Sequence, residues 1–133
     1  MKKLINKKLF KKKLSDLSFE VTQNSGTEPA FSGEHYNNKL EGTYQCICCN
    51  ENLFDSNDKY DSGSGWPSFT KVIDDNKVKL IEDNGYGMKR VEVKCFICDS
   101  HLGHVFDDGP KPSGKRFCIN SVSLNFVCKN GKL

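Results

Sequence analysis

The apolar residues of this chain fall in short bursts, and the character of the bursts changes near Thr43. Residues 14–24 read as a short helix with Ser15 as its N-cap. From Thr43 onward, runs rich in Val, Ile, Tyr and Phe are separated by clusters of Gly, Pro, Asn and Asp, the mark of strands and turns. Strands are predicted over 43–47, 77–81, 88–94, 103–106, 115–120 and 122–126. Turns are signalled by Asn84-Gly85, Asp108-Gly109-Pro110 and Pro112-Ser113-Gly114. Many short strands with frequent turns predict an all-β fold of two small antiparallel sheets, preceded by the short helix.

On a strand, alternate residues share a face. Over 115–120 that rule sends Arg116, Cys118 and Asn120 to one side and Phe117 and Ile119 to the other. One face is built for a core, while the other carries a cation, a thiol and an amide. A neighbouring Arg or protonated His favours the thiolate of a cysteine whose ordinary pKa is near 8.5. A lone cysteine also serves as a small buried hydrophobe. The polar face, with His101 and His104 close in sequence, favours a nucleophile instead. Two histidines three apart would point to opposite faces of a straight strand, and Gly103 between them permits a bulge that aims both inward. Trp66, the single tryptophan, follows the glycine-rich run Gly63-Ser64-Gly65. That run suits a backbone presenting an aromatic plane, with core filling as the alternative.

The seven cysteines separate into two kinds. Cys46, Cys49, Cys95 and Cys98 form two CxxC pairs, a closed Cys₄ set for one tetrahedral zinc with no open position, hence a structural site. Cys48 breaks the two-residue spacing and is expected to face away from the ion. Redox dithiols or ordinary buried cysteines are the competing readings, and neither accounts for two such pairs.

Composition narrows the function classes. At 133 residues the chain has room for one domain, expected over 14–133. The net charge of +3 is misleading, because residues 1–13 hold seven lysines and no acid. The remainder carries 13 basic against 17 acidic side chains, a net of −4. A nucleic-acid-binding fold carries its positive charge on the fold itself, so a zinc-ribbon binder of nucleic acid is disfavoured. The 1–13 tail is expected to be disordered. Its Leu4, Ile5, Leu9 and Phe10 also permit a short basic amphipathic helix. No apolar run is long enough for a membrane span or a secretory signal, and free thiols fit a cytoplasmic, reducing compartment.

Taken together, the zinc pairs, SGSGWPSF at 62–69, CDSHLGHVFDDGP at 98–110 and RFCINSVSLNF at 116–126 resemble the methionine-R-sulfoxide reductases, the B type of peptide methionine sulfoxide reductase. The stretch GTEPAFSGEHYNNKLEGTYQC at 26–46 shares the family's character, and the resemblance covers roughly 14–127. It implies two antiparallel sheets with one structural zinc per chain, far from the active site. It places the nucleophile on Cys118 and the pocket on Trp66, His101, His104, Asp108, Arg116 and Asn120. Trp66 would receive the methyl group of the sulfoxide. His104, then His101, is the expected proton donor, and Cys118 would be left as a sulfenic acid. The expected roles are protein repair under oxidative stress by a monomer, with selectivity for the R epimer and no nucleic-acid or membrane partner.

Many relatives carry a resolving cysteine where this chain has Ser64, and a hydroxyl cannot form the disulfide. Cys128 is an alternative, but a continuous strand would place it roughly 33 Å from Cys118. Residues 119–127 contain no Gly or Pro to favour a reversal. Cys48 is tethered beside the metal site. Direct reduction by thioredoxin or another external thiol is the preferred expectation. A non-catalytic partner-binding protein on the same scaffold is the remaining rival.

Overall fold

A computed structural model describes residues 14–24, 26–83 and 90–129. The Lys-rich tail lies outside them, as does the turn expected at Asn84-Gly85. The chain opens with helix α1 (Asp16–Asn24), followed by β1 (Gly42–Cys46), β2 (Asn52–Asp55), β3 (Lys59–Tyr60) and β4 (Ser68–Phe69). The remaining strands are β5 (Val78–Asp83), β6 (Arg90–Cys95), β7 (His101–Phe106), β8 (Arg116–Ile119) and β9 (Leu124–Cys128). They form two antiparallel sheets, one ordered β2-β1-β9 and the other β3-β4-β8-β7-β6-β5.

Helix α1 starts where its cap predicts, with the Ser15 hydroxyl accepting from the Ser18 N–H at 3.1 Å. Val21 is fully buried, and the Ser18 hydroxyl donates to the Val122 carbonyl at 2.8 Å, which fixes the helix against the joint between the sheets. The two inner faces meet in an aromatic core. Phe54 stacks on Phe69 with ring centroids 4.3 Å apart, and Tyr44 meets Phe69 edge-on at 5.2 Å. Phe117 closes the same cluster from β8.

A strand expected over 122–126 begins later. Residues Ser121–Ser123 form a 3₁₀ turn that carries the chain from β8 in the larger sheet to β9 in the smaller. The run 119–127 therefore is not one continuous strand, and neither Gly nor Pro was needed to bend it. The turn is held by side chains instead: Ser121 Oγ accepts from the His35 N–H at 2.9 Å, and Ser123 Oγ donates to the His101 carbonyl at 3.1 Å. Among the described residues, no helix is long and apolar enough to cross a membrane.

Candidate active site and metal centre

The register of the larger sheet assembles the site. In an antiparallel ladder, directly paired residues share a face. Tyr60 pairs with Ser68, Ser68 with Cys118, Cys118 with His104, and His104 with Glu92. These five side chains form one row across five strands, with the thiol at the centre. The next row along, Phe69–Phe117–Val105, points the other way into the core. Cys118 is thus held on a central strand by the burial of Phe117 and Ile119 behind it.

The two histidines are brought to the same side by the expected irregularity in β7. Gly103 pairs with Val93 and His101 with Lys94, so Leu102 is the extra residue of a bulge. The His101 and His104 rings then sit edge to face with centroids 5.6 Å apart. At Gly103 the backbone of β8 leaves no room for a side chain. A Cβ there would lie 2.1 Å from the Cys118 carbonyl oxygen.

A cavity of about 110 Å³ opens over this row. Cys118, His104, Trp66, Asn120 and Gly103 line it, together with Thr27, Arg90 and Phe106, which the sequence patterns did not single out. The Trp66 indole donates to the Glu28 carbonyl at 3.0 Å, fixing the ring plane. Asn120 accepts from the Glu28 N–H at 3.0 Å and donates to the Leu102 carbonyl at 3.1 Å. His104 Nε2 lies 2.9 Å from Asp83 Oδ2, and Arg90 reaches the same oxygen at 3.3 Å. His101 is buried behind this wall, its Nδ1 2.7 Å from Glu92 Oε2. Burial holds the His101 pKa below the usual histidine range, with Glu92 pulling the other way.

Arg116 and Asp108 stand at the rim. Asp108 is exposed and grips Arg116 through two bonds, Nε to Oδ1 at 2.8 Å and a terminal nitrogen to Oδ2 at 3.1 Å. The guanidinium lies 4.4 Å over the Phe106 ring. Its effect on Cys118 is smaller than the strand face alone suggested. Burial pushes the thiol up, and the Arg116 charge with the Ser64 hydroxyl pulls it only part of the way back. Ser64 belongs to a hydroxyl chain, 2.8 Å to Ser62, which in turn is 2.7 Å from Ser68.

Cys128 is not in this neighbourhood. It pairs with Gly42 in the smaller sheet, and the next residue, Lys129, donates to the Glu41 carbonyl at 2.8 Å.

The two CxxC pairs meet at one end of the structure, Cys46 closing β1 and Cys95 closing β6. Each pair makes the same turn. Asn50 N–H donates to the Cys46 carbonyl at 2.8 Å and Asp99 N–H to the Cys95 carbonyl at 2.9 Å. Asn50 and Asp99 adopt φ of 63° and 66°, the left-handed region these two residue types tolerate best among those with a side chain. The four Sγ atoms lie within 4.8 Å of one another, with Cys46–Cys98 and Cys49–Cys95 both at 3.6 Å. A zinc–sulfur bond of about 2.3 Å in a tetrahedron requires sulfurs about 3.8 Å apart, a separation that two of the pairs nearly have and that the rest lie within about 1 Å of. The neighbouring thiols, Cys48 and Cys49 first, push Cys46 up; a divalent cation among them reverses that balance.

Cys48 departs from expectation. It is buried against the cluster, its sulfur accepting from the Gln23 amide at 3.4 Å. A two-residue spacing decides which thiols can share an ion, but the tight turn still leaves the intervening side chain beside them.

Comparison with known proteins places the chain in a family. Residues 14–128 match the family described as the SelR domain. The chain is 53% identical over 117 residues to the peptide methionine sulfoxide reductase MsrB of Escherichia coli O139:H28 (strain E24377A / ETEC), spanning 88% of this chain and 85% of that protein.

Proposed function

The chain belongs to the SelR domain family, and on that footing we propose that it reduces the R epimer of peptide- or protein-bound methionine sulfoxide to methionine. The observation that carries this reading is the position of Cys118, between Ser68 and His104 on a central strand and under a cavity walled by Trp66.

The cavity, about 110 Å³, is on the scale of one side chain. That suits the Cγ, sulfur, oxygen and methyl of the oxidised side chain. Trp66 offers the apolar wall for the methyl group. The Cys118 thiolate attacks the sulfoxide sulfur, and two electrons pass from cysteine sulfur to methionine sulfur. The oxygen leaves methionine with a proton from His104 and ends on Cys118 as sulfenic acid. Asp83 and Arg90 hold the His104 ring at its place in the wall. Arg116 supplies the cation that favours thiolate over thiol when burial opposes it.

Recycling is by an external thiol. Ser64 stands within hydrogen-bonding reach of Cys118, where a second thiol would form a disulfide and a hydroxyl cannot. Cys128 is held in the other sheet. Two thiols of thioredoxin or a small dithiol therefore return Cys118 to the thiol, releasing water and leaving their own disulfide. Cys46, Cys49, Cys95 and Cys98 would hold a structural zinc, which ties β1 of one sheet to β6 of the other.

The test is turnover of separated R and S sulfoxide peptides with dithiothreitol and with thioredoxin. Reduction of R alone, lost in Cys118→Ser protein that keeps its zinc, supports the assignment. Substantial residual turnover in that variant removes Cys118 from the role. A Cys118–Cys128 disulfide after one turnover without reductant would overturn direct recycling.

A further inference from the structure

Resting on that reading, we infer that Phe31, braced by Tyr36, is the docking platform for an apolar residue flanking the methionine sulfoxide in the substrate chain. The cavity of about 110 Å³ is small, on the scale of a single side chain. The polypeptide on either side of the sulfoxide must lie across the mouth, on whatever surface borders Trp66. Phe31, exposed and packed on Gly65 one residue from Trp66, offers such a surface.

Four observations place it there. The loop that begins at Thr27, itself a wall of the cavity, runs to Phe31, whose N–H donates to the Gly65 carbonyl at 2.7 Å. The ring packs close enough to Gly65 that a Cβ there would come within 2.9 Å of its Cδ2 atom, and Gly65 is one residue from Trp66. Phe31 is nonetheless 66% exposed, the most exposed large apolar side chain among the described residues. It holds a φ of 65°, a conformation rare for a bulky side chain.

The ring is also preorganised. Tyr36 meets it edge-on at 5.3 Å and is anchored in turn, its carbonyl accepting from Lys59 Nζ at 2.8 Å. Single exposed apolar residues are ordinary on protein surfaces. Phe96 and Ile97, 57% and 59% exposed, are of that kind here, since they ride on the turn between Cys95 and Cys98 and border no part of the cavity. Phe31 is not a wall of the cavity either, but it differs in packing on Gly65, the residue before Trp66, at the end of the loop that starts from the cavity wall at Thr27. An extended peptide advances about 3.4 Å per residue, so a residue one or two positions from the sulfoxide reaches a ring packed one residue from Trp66.

The experiment compares three substrates carrying the R-sulfoxide: a capped single residue, a pentapeptide with leucine on both sides, and one with glycine on both sides. Wild-type protein should favour the leucine peptide through KM. In Phe31→Ala that preference should narrow about fivefold to tenfold, the scale expected from burying roughly half a phenyl ring. Phe31→Asn should do the same, and asparagine accepts the left-handed backbone, so loss of the loop does not explain the change. Phe31→Tyr should restore the preference. Equal losses on all three substrates would overturn the inference and make Phe31 a prop for Trp66. A wild-type protein active on all three without flank preference would overturn it alone, whereas one active on none would overturn the reductase reading with it.

Discussion

Replacing Gly103 with alanine should damage stability and turnover together, and both losses can be worked from the seam between β7 and β8. An ideal Cβ would lie 2.1 Å from the Cys118 carbonyl oxygen and 2.9 Å from the Ile119 Cα. Carbon–oxygen contacts between neighbouring strands run at about 3.3 Å or more, so the methyl would be about 1.2 Å too close. The atoms it meets are backbone, and no side chain can rotate out of the way. Opening the seam by that amount stretches hydrogen bonds of about 2.9 Å to about 4 Å, beyond bonding range. The seam runs from Gly103–Ile119 to Phe106–Arg116. Weakening two to four of its bonds at about 1 kcal/mol each predicts a loss of about 2–4 kcal/mol. The same shift moves His104 away from Cys118 and should lower kcat about 10²-fold, the usual effect of a 1 Å misplacement. Urea unfolding and steady-state turnover measure the two. Gly63→Ala is the comparison: Gly63 has no neighbour within 4 Å of its Cβ position but a φ of 73°, so only backbone strain of about 1 kcal/mol applies. A Gly103→Ala protein with wild-type midpoint and turnover would refute the reasoning.

Further expectations concern the thiols and one histidine. Metal analysis of protein from zinc-replete medium should give one zinc per chain, and Cys49→Ser should lower both zinc content and melting temperature. Because burial raises the Cys118 pKa and Arg116 opposes it, iodoacetamide labelling of Cys118 should rise with pH through and beyond the ordinary thiol range; Arg116→Gln should move that rise to higher pH. An unchanged profile would show that Arg116 does not act on the thiol. Burial holds His35 below the usual histidine range in the folded state. The unfolded chain then binds the extra proton first, so stability should fall as pH drops through about 6.5. His35→Gln should flatten that part of the urea-midpoint profile, and identical slopes for both proteins would count against it.

Much of the site was legible because its logic is local. The alternation over 116–120 separates Cys118 from Phe117 with no knowledge of partners, and a glycine between two histidines signals the bulge. CxxC spacing likewise identifies the four thiols that meet. What escaped depends on pairing between distant segments. Strands β3 and β4 have two residues each, too few to show a period, yet they place Ser68 beside Cys118 and Tyr60 at the row's end. Asp83 reaches His104, and Arg90 reaches Asp83, only once β5, β6 and β7 are in register. Glu28 looked like any loop carboxylate; it is buried, and its backbone serves Trp66 and Asn120 while its side chain accepts from the Val122 N–H at 2.8 Å. The bend at 121–123 arises from serine hydroxyls rather than from a turn-forming residue.

The division of β8 into two sides bears on how such a chain can diverge. Phe117 and Ile119 hold the strand whatever stands at position 118 or at Ser64 and Ser68 facing it. Relatives can therefore exchange the groups around the thiol, and with them the route by which it is regenerated, while the scaffold behind stays as it is. Length is another matter. One residue added or removed within β8 would turn the phenyl ring of Phe117 outward and bury the thiol, taking it out of the row from Tyr60 to Glu92. Along this strand, evolution is free to substitute but not to insert.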